Sequence, residues 1–427
     1  LPGGTFSPRD FEQMVRRLAP DRKSAHVAAA TATAPAPGGA GALLTSLAEV
    51  PGKDGPRAAA FATDGDRLIV SHAGKLFSID RKSRRTMWSF EPDPKQRDRS
   101  RRSGGQGAAG CLRIGDKLYV RSGLKGAPLA CLETKTGTLL WSRLYEGPVL
   151  SDPVRIGSWL YVITDLHDTT SALRLTTSAL HLHRVSPDTG ESSLSSRVVR
   201  VRDEWPAIGR LAVVDNAIMF RTAGCLVNCN LRGKVRWARR LPFVPPDVLR
   251  QLHAGTDLGE MLVWQDRSLI FSAPGCPYIM CVDTETGKVL WSFIIRSPAR
   301  LVGLVAGSVI VAESDRACAL DAATGRIRWQ RRCSTDDVGI LPARKDTLVL
   351  VRLKKPHGQG KDTSRGDRCI RWISAGDGRV VKELPIAGDS EIHGVSKLFS
   401  DGKRLFGLSG FEAGKPGARV FEIEIRG

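Results

Sequence analysis

A Thr-Gly turn with a Trp four residues beyond the Gly recurs along this chain, and a recurring unit constrains a fold more tightly than composition does. The clearest copies are Leu132-Glu133-Thr134-Lys135-Thr136-Gly137 with Trp141, Val282-Asp283-Thr284-Glu285-Thr286-Gly287 with Trp291, and Leu320-Asp321-Ala322-Ala323-Thr324-Gly325 with Trp329. Degenerate copies keep the spacing: Asp188-Thr189-Gly190 with Leu194, Arg232-Gly233 with Trp237, Asp377-Gly378 with Lys382, and Arg84 in the Gly place with Trp88. The Gly-equivalent positions 84, 137, 190, 233, 287, 325 and 378 lie 53, 53, 43, 54, 38 and 53 residues apart. Insertions account for the scatter. Strand–turn–strand hairpins stand earlier in the units, as at residues 114–120, 156–162 and 306–311.

Local chemistry explains the frame. An acid at the turn start accepts backbone amide bonds, Thr adds a hydroxyl bond, and Gly takes the left-handed conformation that a Cβ resists. Alternation along a strand then gives the Trp a fixed place on the outer strand of each unit. There it can bury about 150–250 Å² against the adjoining unit while its indole N–H finds a backbone acceptor. Four short strands per unit of roughly 40–50 residues predict a β-propeller, because a blade cannot cover both of its own faces. Residues 396–399, 404–408 and 419–425 supply three strands of an eighth unit, and residues 42–50 are the segment placed to complete it. The expected fold is all-β: an eight-bladed propeller of four-stranded antiparallel blades, with seven blades the alternative. Its expected turn and docking residues are Trp88, Gly137, Trp141, Gly190, Gly233, Trp237, Asp283, Gly287, Trp291, Asp321, Gly325 and Trp329.

These motifs resemble the pyrroloquinoline-quinone-like repeat, the Trp-docked propeller unit of quinoprotein alcohol dehydrogenases and of non-enzymatic relatives of the barrel-assembly lipoprotein type. The resemblance covers residues 58–427 and lies closer to the non-enzymatic type. It specifies architecture, since the frame recurs in register, and little of function, since many tasks share the fold. For a dehydrogenase it implies adjacent cysteines and a calcium site with acidic and amide ligands. This chain has no Cys-Cys pair and no recognisable acidic metal loop, so neither pyrroloquinoline quinone nor calcium is expected. Cell envelope or periplasm is the compartment the resemblance favours.

Ahead of the repeats, Ser7-Pro8-Arg9-Asp10 reads as a helix start, and Phe11, Met14, Val15 and Leu18 share one helical face. Residues 28–42 are rich in Ala, Thr, Pro and Gly and cannot supply a core. The expected organisation is an amphipathic helical arm over 1–24, a linker over 25–57 that includes the candidate closing strand, and a propeller over 58–427. The first residue is Leu with no basic segment leading into an apolar run, which reads as a processed chain or a fragment. The longest nearly uninterrupted apolar stretch, residues 301–312, falls far short of the roughly 20 residues of a membrane helix.

Nine cysteines form no dense framework, and Cys225/Cys229 and Cys276/Cys281 have no zinc-ribbon spacing. Reduced structural thiols are expected, a Cys276–Cys281 loop disulfide being the alternative. Cys131 and Cys281 stand six positions before their motif Gly, where Ala319 stands in the sixth unit, which marks a small buried strand position. Residues 105–110 match Gly-x-Gly-x-x-Gly but lead into a strand instead of opening a helix, so the dinucleotide reading fails. His181 and His183 share a strand face; with His167 or Asp168 they would make only an incomplete metal set.

Lys+Arg 64 against Asp+Glu 44 gives a net charge of +20, which favours anionic partners without naming one. The cations cluster at Arg81, Lys82, Arg84 and Arg85, at Arg97, Arg99, Arg101 and Arg102, at Arg232, Lys234, Arg236, Arg239 and Arg240, and at Lys354-Lys355. Little aromatic residue remains outside the frame to make a base-stacking platform. Hydrolase-elbow, zincin and phosphate-loop signatures are absent, and no catalytic, cofactor or metal residue is singled out. The expectation is a non-catalytic scaffold presenting loops and one ring face to a protein partner. Insertions after Trp88, at 163–182, 242–259 and 356–368 are its contact candidates. The alternatives are a quinone-dependent dehydrogenase or small-ligand binder using the central channel, and an anionic-polymer binder. Oligomeric state has no signature in the sequence.

Overall fold

The computed structural model describes residues 42–50, 59–72, 75–91, 110–121, 128–168, 177–201, 210–222, 225–241, 261–272, 278–295, 300–313, 316–332, 338–344, 346–352, 368–388, 397–400, 404–410 and 418–425. They form thirty-two strands, and no helix occurs among them. Nor does any helix there have the length and apolarity to cross a membrane. The helix expected over residues 7–18 and the Ala/Pro-rich stretch before residue 42 lie outside the described residues.

Blade 1 shows the pattern: Ala59–Asp64, Arg67–His72, Lys75–Asp80 and Arg85–Phe90 pair antiparallel in chain order. Blades 2 to 7 repeat it over residues 110–143, 154–201, 212–240, 261–294, 300–332 and 338–388. The first and second strands join through tight turns: in blades 4, 5 and 6 both central residues take positive φ, as at Asp215 (45°) and Asn216 (55°) or Ala306 (47°) and Gly307 (69°), and in blades 1, 2 and 3 the first central residue does, at Gly65, Gly115 and Gly157. Such primed turns match the right-handed twist of the strands they connect. First strands of neighbouring blades approach one another, so the first strand lies at the hub and the fourth at the perimeter.

Blade 8 comprises Lys397–Ser400, Leu405–Gly410, Ala418–Ile425 and, as its outer strand, Ala42–Val50. That last strand runs antiparallel to Ala418–Ile425, from Ala42 opposite Ile425 to Val50 opposite Ala418. Its first residues also pair in parallel with the outer strand of blade 7, Ala42 opposite Ile386 through Leu44 opposite Gly388. Blades 7 and 8 are thereby joined into one eight-stranded sheet. The ring starts at Ala42, ahead of the boundary at 58 that repeat spacing alone suggested, because the closing strand carries no copy of the turn frame.

Both faces of each sheet are buried, which is why second strands such as Ala217–Arg221 and Ser308–Ala312 are sequestered along their whole length. The core is divided among eight apolar clusters, each made by two adjacent blades. Leu68, Val70 and Phe77 of blade 1, for example, pack on Phe406, Leu408 and Val420 of blade 8, and Leu47 of the closing strand joins them. Eight clusters for eight seams leave no blade without a neighbour on either side.

Candidate functional site

The repeat residues meet at the seams. Trp88 Nε1 donates to Thr134 O at 3.2 Å, Trp141 to Pro187 O at 3.1 Å and Trp237 to Thr284 O at 3.0 Å. Trp291 donates to Ala322 O and Trp329 to Ala375 O, both at 2.9 Å. Every acceptor stands three residues before the motif Gly of the following blade. That Gly lies under the indole: a Cβ on Gly325 would sit 2.6 Å from the Trp291 ring, and Gly137, Gly190, Gly287 and Gly378 are seated likewise under Trp88, Trp141, Trp237 and Trp329. Positive φ is required as well, from 68° at Gly287 and Gly325 to 80° at Gly233. Arg84 occupies the equivalent place in blade 1 at φ 56°. The preceding outer strand, Ala42–Val50, has no Trp to press on it, so a Cβ there meets no indole.

The turns are built from the acid and the Thr. Asp283 Oδ1 accepts from Glu285 N, Thr286 N and Thr286 Oγ1 at 3.1, 2.7 and 2.7 Å. Asp321 Oδ1 accepts from Ala323 N, Thr324 N and Thr324 Oγ1 at 3.1, 2.9 and 2.9 Å. The Thr286 hydroxyl chiefly holds Asp283 below the usual carboxylate range, and the Arg328 guanidinium does so for Asp321. Opposite the Trp, on the third strand, stand Cys131, Cys281 and Ala319, paired with Trp141, Trp291 and Trp329. Burial pushes both of these thiols up to about 11 and that of Cys229 to about 12, so none is poised as a thiolate. Cys281 carries a free thiol, while Cys276 lies outside the described residues.

Three seams lack the indole clasp. Between blades 3 and 4 the frame position is Leu194, and the atoms against Gly233 belong to Ser196, two residues along. Blades 7 and 8 are joined by strand pairing instead. Between blades 8 and 1, Arg81 donates to Glu422 at 2.7 Å, with its guanidinium 5.3 Å from the centre of the Phe406 ring. Sequence reading missed these substitutes because each joins residues from distant parts of the chain.

It also missed a set of buried charges at the loop ends of the strands. Glu313, 1% exposed, accepts twice from Arg316, at 2.7 and 2.9 Å. Arg121 donates to Asp152 at 2.7 and 3.1 Å, joining blade 2 to the start of blade 3. Asp152 in turn lies against Gly110, where a Cβ would meet its carboxylate at 1.7 Å. Gly110 opens the first strand of blade 2, and residues 105–109 lie outside the described residues.

His183 is buried, with Nε2 3.0 Å from Thr164 Oγ1, Nδ1 3.2 Å from Ser192 Oγ, and its ring 4.9 Å from that of Tyr145. Burial, with a smaller effect of His181, lowers it to about 4. The two histidine rings lie 6.4 Å apart. Among the described residues no three His, Cys, Asp or Glu side chains gather to hold a metal ion, and Asp152 and Glu313 are each committed to an Arg. Of the expected contact loops, residues 92–109, 169–176, 242–260 and 353–367 lie outside the described residues, and with them the basic clusters at 97–102 and 354–355.

The family described as outer membrane protein assembly factor BamB matches residues 39–246 and 247–404. An outer membrane protein assembly factor BamB from Moranella endobia (strain PCIT) is 23% identical over 336 residues, covering 75% of each chain. The BamB structure from Moraxella catarrhalis superposes with a TM-score of 0.55 at 14% identity, over 89% of this chain and 99% of that one. A quinohemoprotein alcohol dehydrogenase from Pseudomonas putida HK5 gives 0.59 at 11% identity, over 90% and 76%. The two superpositions speak for the ring alone, which enzyme and assembly factor share. The matched segments, in contrast, run from the closing strand into blade 8, and on that extent the chain belongs to the family of the outer membrane protein assembly factor BamB.

Proposed function

We propose that this propeller is a non-catalytic scaffold of the cell envelope that holds a protein partner during outer-membrane protein assembly. The observation that carries the reading is the family match over residues 39–404. The geometry supports it: the frame residues are committed to joining blades, Glu313 and Asp152 to arginines, and the thiols of Cys131, Cys229 and Cys281 are kept protonated by burial. What remains for recognition is the ring's exposed surface, carried on a rigid support. Rigidity serves a scaffold, since a preformed surface loses little entropy on binding.

The test is photo-crosslinking from exposed rim positions in the cells that make the protein, with fractionation and measurement of outer-membrane barrel proteins after its removal. The expected result is crosslinks to envelope assembly proteins and fewer folded barrels. Recovery in the cytosolic fraction with an unchanged barrel content would overturn the proposal. Dye-linked alcohol oxidation with added quinone and calcium addresses the dehydrogenase reading; no turnover above background is expected.

A further inference from the structure

The outer strand of blade 4, Val235–Arg240, divides its side chains by parity. On the odd positions Trp237 bonds to Thr284 O and Arg239 to Gly287 O, at 3.0 Å each, both in blade 5. The even positions of the strand and its turn read Arg232, Lys234, Arg236, Ala238 and Arg240, and all five are exposed. None of these four cations has an acidic partner among the described residues. Arg236 and Arg240 stand on the strand itself, about 13 Å apart, and Arg232 and Lys234 on the turn that leads into it. Among the described residues the strand also has no neighbour on its perimeter side. On the neighbouring outer strand, Ser192–Val201, Arg197 and Arg200 are exposed as well, and at the seam between these two blades neither an indole nor a strand pairing closes the perimeter among the described residues.

We propose that this edge is a docking site for an extended acidic segment of a protein partner, which adds to blade 4 as a further strand with carboxylates at alternate positions. Two features select that occupant. A strand laid beside Val235–Arg240 turns every second side chain to one face, so carboxylates there reach Arg236 and Arg240 and the flanking ones reach the turn cations, which ties charge to register. The free edge supplies backbone donors and acceptors that only a polypeptide answers. Strand addition at a perimeter already occurs in this molecule, where Ala42–Leu44 pairs in parallel with Ile386–Gly388 of blade 7. A single-stranded nucleic acid would want exposed aromatic faces, and Trp237 is committed between its own blade and Gly287.

The site rests on the assembly reading only in supposing a protein partner; the chemistry of the edge is independent of it. The test is fluorescence anisotropy on the whole chain with a labelled short peptide carrying Glu at alternate positions and Thr or Val between them. Comparison ligands are the same residues with the Glu grouped at one end, the alternating peptide N-methylated on its backbone, oligothymidylate, and phosphatidylglycerol vesicles. The alternating peptide is expected to bind best, and Arg232→Glu/Arg236→Glu/Arg240→Glu to weaken it at least about tenfold with an unchanged melting temperature. Single Arg236→Glu should act in the same direction, and Arg236→Lys should retain binding. Equal binding of the grouped or N-methylated peptide overturns the proposal, as does tighter binding of oligothymidylate or vesicles. If the triple variant still crosslinks envelope assembly proteins in cells, the scaffold reading stands without this edge; if peptide binding holds and the crosslinks are absent, the edge stands without the scaffold reading.

Discussion

The seam between blades 5 and 6 allows the repeat frame to be tested as a coupled pair. Trp291 is 8% exposed, its indole covers Gly325, and its N–H reaches Ala322 O. Trp291→Ala removes the ring and its hydrogen bond, a loss of about 3–5 kcal/mol for a buried aromatic. Gly325→Ala meets two separate penalties. Holding an L-residue at φ 68° costs about 1–2 kcal/mol, and a Cβ placed 2.6 Å from the ring adds about 1–3 kcal/mol of overlap. In the double variant the ring is gone, so only the backbone penalty remains for the second change. The pair should therefore be less destabilised than the sum of the single variants by about 1–3 kcal/mol, the size of the vanished overlap. Urea unfolding followed by far-ultraviolet circular dichroism, compared at a common slope, measures all four corners without relying on the indole that is removed. Additivity within about 0.5 kcal/mol would show that Gly325 is needed for its backbone alone, and the account of the frame as a matched indole and glycine would fail.

Arg84→Gly should raise stability by about 0.5–1 kcal/mol in the same unfolding assay, since it removes a left-handed L-residue worth about 1–2 kcal/mol against a smaller gain in unfolded-state entropy; a loss would show that the Arg84 side chain makes a contact worth more than its strain. His183 is lowered to about 4 from an unfolded value near 6.5, so the unfolded chain binds more protons between those limits, and its contribution is full above about 6.5 and lost as pH falls toward 4. The loss amounts to about 3 kcal/mol, and a His183→Asn variant should show a shallower fall of the urea midpoint over that window. Glu313→Gln leaves Arg316 buried without its charge partner and should cost about 3 kcal/mol, most of which Glu313→Met/Arg316→Leu should restore; thermal melts of the three variants check it, and a double variant no better than the single would refute the desolvation argument.

The architecture was legible because each blade repeats one local solution. Thr286-Gly287 and Thr324-Gly325 are recognisable as turns from their own chemistry, and a Trp at constant distance from five of the seven turns points to docking between like units. The eighth blade was legible in part: residues 396–425 show strand patterns without a turn frame, and the need to cover an open edge points to residues 42–50. The parallel pairing of Ala42–Leu44 with Ile386–Gly388 was not legible, since a run of three backbone pairs leaves no periodicity. The Arg81–Glu422 contact bridges positions 341 apart, which no local pattern encodes. Glu313 and Arg316, three apart in the chain, carry a sequence signal, but the same spacing is common on solvated turns and only burial distinguishes them. The cationic edge was visible as a cluster of five residues; its division into Arg239 facing blade 5 and four exposed cations required the strand's parity to be fixed.

The distribution of clasps around the ring bears on where it can afford to bind. In an array of like units stability is a sum of unit and neighbour terms, so a seam that loses one device needs another or becomes the weakest. The seams on either side of blade 8 have substitutes that suit closure: backbone pairing to blade 7, and a largely buried Arg81–Glu422 ion pair with a cation–ring contact toward blade 1. Among the described residues the seam between blades 3 and 4 has neither device and depends on an apolar cluster that runs from Tyr161, Leu180, Phe220 and Val227 out to Val198 and Val235 of the two outer strands. An indole at position 194 would have filled that perimeter and anchored it to Gly233; Leu194 and Ser196 leave it less bulky. The same stretch of perimeter carries the unpaired edge of Val235–Arg240 and its exposed arginines. A partner strand seated there would bring the interactions that the missing clasp withholds, so binding at this edge and cohesion of the ring become one free-energy term, with the partner stabilising the seam most in need of it.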